Sequence, residues 1–66
     1  MSLTLRAWRR VKEISLEDMA KSLKIHINTY QKWEKRPETI AIGNAIKISE
    51  ILGVSLNDIV FVSDEG

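Results

Sequence analysis

Residues 15–35 read SLEDMAKSLKIHINTYQKWEK, and their spacing decides the fold. Leu16, Met19, Ala20 and Leu23 recur at steps of 3-1-3, which lines one face of a helix. Ser15 stands where a helix cap is wanted, and Asp18 three residues on makes a near version of the capping box, with Asp for the usual Glu. Glu17 and Asp18 also suit the positive end of the helix dipole. Lys24, Ile25 and His26 break the pattern. A second helical pattern then opens, with Ile27, Tyr30 and Trp33 as its large residues and Lys32 and Lys35 toward its end. Ala20 supplies the small residue that two steeply crossing helices need at their closest approach. Two short helices joined by so tight a break form the pattern of a helix-turn-helix.

Working outward, Leu5, Trp8 and Val11 predict an apolar stripe on a first helix from Thr4 to about Lys12, with Leu3 at its start and Arg6, Arg10 and Lys12 solvated. Glu13 and Ile14 form a connector, with Ile14 as a core plug. Pro37 stops the Ile27–Lys35 helix, because residues before proline avoid the α region. A fourth helix is expected over Ile42 to Leu52, capped by Thr39 since Ala41 cannot cap it. Its core stripe is Ala45, Ile48 and Leu52; Ile42, Ile46 and Ile51 widen that stripe enough for one edge to serve an interface. Gly53 ends this helix in the left-handed manner. Ser55 with Asp58 predicts a cap for a fifth helix carrying Leu56, Ile59 and Val60. The domain is read as residues 1–62, followed by a short acidic tail at 63–66.

Sixty-six residues bury only a modest core, and with no cysteine no disulfide or thiolate metal site supports it. Residues 1–36 hold nine cations against four acids, while residues 37–66 hold one against five. The basic half contains the helix-turn-helix, as suits a face turned to phosphate. No apolar run approaches the ~20 residues of a membrane span, and no apolar signal core follows Met1. A soluble cytoplasmic protein is the expectation. One histidine, His26, offers neither a metal cluster nor a catalytic triad, and the scattered glycines make no phosphate loop. No enzyme activity, cofactor or metal is expected; His26 suits a cap or a phosphate contact.

Leu5-x-x-Trp8-Arg9, Met19-Ala20-x-x-Leu23, Trp33-Glu34 and Leu52-Gly53-Val54-Ser55-Leu56-x-x-Ile59 stand at matching spacing without a gap from Leu5 to about Val60. In these residues the chain resembles the lambda-repressor/Cro-like (XRE-type) helix-turn-helix family of DNA-binding regulators. The resemblance implies an all-α, compact five-helix domain with the helix-turn-helix in helices 2 and 3. It also implies a structural ion pair between Arg9 and Glu34, tying helix 1 to helix 3. The chain departs from the family pattern at Glu13 and Lys24, where glycine is common, so the connector at Glu13 is expected to turn differently. It departs again at His26, where Ser or Thr usually caps. At Leu16 the family commonly has a Gln that contacts DNA, leaving at most the backbone N–H for that contact.

On this reading helix 3 enters the major groove. Asn28, Thr29, Gln31 and Lys32 face outward, with Ile27 at the edge, as the base-contacting set. Asn and Gln amides can read an adenine edge with two hydrogen bonds, and Ile27 or the Thr29 methyl can meet a thymine methyl. Leu16, Lys24, His26, Lys35 and Arg36 form the phosphate-contacting set. Val60, Phe61 and Val62, an apolar run after the last helix, are expected to build a homodimer interface kept away from DNA by the acidic C-terminal half. The implied function is a sequence-specific double-stranded DNA-binding regulator of bacterial or phage type, most often a repressor, acting as a dimer on a palindromic operator. The alternative is an antitoxin or phage regulatory module that uses the same fold to bind a protein partner.

Overall fold

The computed structural model describes residues 1–62. The acidic tail expected at 63–66 lies outside the described residues. The elements are β1 (Leu3–Thr4), α1 (Leu5–Val11), α2 (Leu16–Leu23), α3 (Ile27–Lys35), a 3₁₀ turn (Pro37–Thr39), α4 (Ile42–Leu52), a second 3₁₀ turn (Leu56–Asp58) and β2 (Ile59–Val60). None of the described helices is long and apolar enough to cross a membrane.

The central helices follow from their caps. Ser15 Oγ accepts the Asp18 N–H at 3.0 Å and starts α2. α2 packs chiefly on α3 and also on α4, and its Ala20 is buried. Met19 and Tyr30 are fully enclosed, joined in the core by Leu5, Ile48, Leu52 and Ile59. Trp8, Ile14, Leu23 and Trp33 pack against that core from partly buried positions. Gly53, at φ 70°, ends α4 in the left-handed conformation.

Both non-glycine turn positions also adopt left-handed backbone: Glu13 at φ 56° and Lys24 at φ 58°. The connector at Glu13 therefore does not turn differently; it takes the conformation that a glycine would take. The conformation costs an L-residue roughly 1–2 kcal/mol. It persists because each turn closes on backbone hydrogen bonds. Ile14 N–H donates to the Arg9 carbonyl at 3.1 Å, and Ile25 N–H donates to the Ala20 carbonyl at 3.0 Å.

Three other expectations are corrected. The first is the helix count, which is four among the described residues rather than five. Ser55 caps as read, its Oγ accepting the Asn57 N–H at 3.3 Å, but only one 3₁₀ turn follows. The Asp58 carbonyl, which would accept from Val62 N–H in a continuing α-helix, instead accepts the Trp8 indole N–H at 2.7 Å. The β-branched pair Ile59–Val60 then runs extended, as such residues favour, and pairs in parallel with β1, Leu3 opposite Ile59 and Thr4 opposite Val60.

The second correction concerns α1. Thr4 is its cap, accepting the Ala7 N–H at 3.2 Å, and Val11 is exposed. The buried positions of α1 are Leu5 and Arg9. Third, Thr39 does not cap α4. Its hydroxyl donates to the Arg36 carbonyl at 2.7 Å, and α4 starts at Ala41 without a side-chain cap.

Candidate nucleic-acid interface

α3 begins at His26, whose Nδ1 accepts the Asn28 N–H at 3.1 Å. Acceptance at Nδ1 places the ring proton on Nε2, so the cap leaves one N–H donor on the far side of the ring. From there the helix divides into two faces. Tyr30 points fully inward and Trp33 is half-buried. Asn28 and Lys32, four residues apart, and Gln31 and Lys35, likewise four apart, make the exposed stripe. Thr29 and Ile27 are half-buried, Ile27 against the core, so each offers an edge rather than a full side chain.

Besides its packing on α2, α3 is tied to α1 by an ion pair. Arg9 Nε donates to Glu34 Oε2 at 2.5 Å and Arg9 Nη2 donates to Glu34 Oε1 at 3.3 Å, with both side chains at most one-tenth exposed. Arg9 Nη1 donates to the Ile14 carbonyl at 2.9 Å. The guanidinium thus ties α1, the Glu13–Ile14 connector and the end of α3 together. The hydrogen bond to Glu34 raises the Arg9 pKa above its ordinary value, against an opposing contribution from burial. Burial, with the Glu34 carboxylate adding to it, pushes the Tyr30 phenol up as well. The Tyr30 hydroxyl is enclosed beside this pair without geometry for a hydrogen bond to either partner. At neutral pH Arg9 is therefore a cation and Tyr30 a neutral phenol.

Asn28, Gln31, Lys32 and Lys35 share one concave surface with Leu16, the first residue of α2. Of the residues read as DNA contacts, those five are brought together. Lys24, His26 and Arg36 are exposed but lie off this concavity. Arg6 and Arg10 of α1 also line it, and the sequence reading placed them only as solvated. A signal for them existed: they flank Arg9, and Arg9 points toward α3. The three residues read as an interface are dispersed. Val60 is in β2, Val62 reaches the rim of the α1–α3 concavity, and Phe61 packs against the core. Phe61 lies in a separate apolar groove with Pro37, Ile40, Ile42 and Leu56. The strand pairing turns Phe61 inward, so it is not part of a free tail.

The helix-turn-helix family profile matches residues 5–59, most of the chain. No curated protein and no solved structure matches it significantly.

Removing one side of the Arg9–Glu34 pair strands a nearly buried charge. Glu34→Ala is expected to lower stability by roughly 3 kcal/mol. Glu17→Ala, which loses only the exposed 3.6 Å pair with Lys21, should lower it by under about 0.5 kcal/mol. Replacing Arg9 and Glu34 together by apolar residues should recover part of the loss. Thermal melts of the variants decide, and equal melting temperatures for Glu34→Ala and Glu17→Ala would make the pair a surface feature.

Proposed function

We propose, from the premise that the chain belongs to the XRE-type, Cro/C1-like helix-turn-helix family of DNA-binding regulators, that it is a sequence-specific repressor whose α3 reads the major groove. The observation that carries this reading is the exposed stripe Asn28, Gln31, Lys32 and Lys35, opposite fully buried Tyr30. Two amides beside two cations on one helix face have the chemistry to read base edges and hold phosphates at once. Ile27 and Thr29 add apolar edges for a thymine methyl. Around this stripe, the Leu16 backbone N–H at the start of α2, Lys24, the free N–H of His26, and the Lys35-Arg36 pair contact the sugar–phosphate backbone. The protein acts in the cytoplasm, where its operator is.

One recognition helix covers few base pairs, and a two-fold pair places two such helices about 34 Å apart on a palindromic site. The protein is accordingly a homodimer. Support comes from the exposed Ile42 and Ile46 on α4, next to the groove that holds Phe61. Apolar side chains left exposed together on so small a domain favour association.

Asn28→Ala is expected to weaken binding to the selected operator by roughly 1–3 kcal/mol and to relax preference at one base pair. Neutralising Lys35 or Arg36 should instead weaken binding to all sequences alike. Unchanged affinity and selectivity of Asn28→Ala in a competition binding assay would remove Asn28 from the reading set. For the dimer, sedimentation equilibrium at tens of micromolar should give twice the chain mass for wild type and the single mass for Ile42→Ser. A monomeric wild type under those conditions would sink the stable dimer.

A further inference from the structure

The concavity between α1 and α3 has a charge layout that the α3 stripe alone does not explain. Its floor holds Arg9 and Glu34, whose mutual pairing cancels their charges. Its two sides are both basic. On the α1 side stand Arg6 and Arg10, four residues apart and therefore on one helix face. On the α3 side stand Lys32 and Lys35. All four are exposed, and none forms an ion pair within the described residues. Unpaired cations on both walls of an open trough with a neutral floor concentrate positive potential inside it.

We infer that this trough is a second DNA-contacting element: one sugar–phosphate strand bordering the major groove lies along it, held from the α1 side by Arg6 and Arg10. The inference rests on the DNA-binding reading of α3 and extends the footprint to a helix outside the helix-turn-helix. A nucleic-acid strand fits better than an acidic peptide, because the amides of Asn28 and Gln31 line the same surface and continue from phosphate to base edge. Arg6 and Arg10 are positioning residues. They fix how α3 is set in the groove and carry no base preference of their own.

The test is the salt dependence of binding to a duplex of random sequence, measured by fluorescence anisotropy. Removing two phosphate contacts with Arg6→Gln/Arg10→Gln should reduce the slope of log K against log salt by about 1.8. Between about 50 and 200 mM salt the double variant then loses roughly twelvefold less affinity than wild type. Arg6→Lys/Arg10→Lys should restore the slope. Lys47→Gln, which removes an exposed cation from α4 away from the trough, should leave it unchanged. Wild-type binding with a slope that the double Gln variant does not alter would overturn the trough while leaving α3 as the reader. So would a reduction of about half that size by Lys47→Gln, which removes one charge against two, since that would reflect net charge alone. Absence of wild-type binding even at the lowest salt would overturn the DNA reading and the trough with it.

Discussion

Most of this small fold turns on how Arg9 is held. A guanidinium buried on an amphipathic helix is expensive unless its donors are used. Here three of its nitrogens donate, two of them to Glu34 and one to the Ile14 carbonyl. The result is a fixed relation among α1, the first connector and the last turn of α3. The inward face of α1 is set by Leu5 and Arg9, four residues apart, and Val11, two residues past Arg9, falls on the other side of the helix and is exposed. The ion pair does not by itself guarantee a large net gain in stability, since desolvation offsets attraction. Its role is geometric: together with the burial of Tyr30 it fixes the last turn of α3 against α1.

Two turns make that geometry possible. Glu13 and Lys24 both sit in left-handed backbone, where glycine would be cheaper. The Glu13 turn directs the Ile14 carbonyl to Arg9, and the Lys24 turn swings the chain from α2 into α3. Ala20, small and buried on α2, takes little room in the core that the two helices share. His26 then fixes the first turn of α3 through Nδ1. Strain accepted at two positions is thus offset by the packing and hydrogen bonds that it positions.

Much of this was legible in the sequence, for a physical reason. α2, α3 and α4 are bounded by local signals, namely Ser15, the Lys24 break, Pro37 and Gly53, and the structure places their ends at the residues those signals marked. The exposed stripe of α3 follows from helical spacing against Tyr30 and Trp33. What escaped depends on contacts distant in sequence. Ser55 and Asp58 look like a helix start, and only the Trp8 indole on the Asp58 carbonyl, with Leu3–Thr4 waiting as a partner strand, sends Ile59–Val60 into extended structure. Phe61 read as a free apolar residue for the same reason. Arg6 and Arg10 read as solvated, which they are, but which face they share with α3 depends on the crossing of two helices and not on either helix alone.

The most direct test of α3 as the DNA-reading element is a backbone amide chemical-shift map of the ¹⁵N-labelled protein titrated with duplex DNA. The shifts should concentrate at Asn28, Gln31, Lys32 and Lys35, while the exposed α4 residues Lys47 and Glu50 stay in place. Shifts centred on the Ile42–Ile46 surface, with the α3 stripe unmoved, would contradict it.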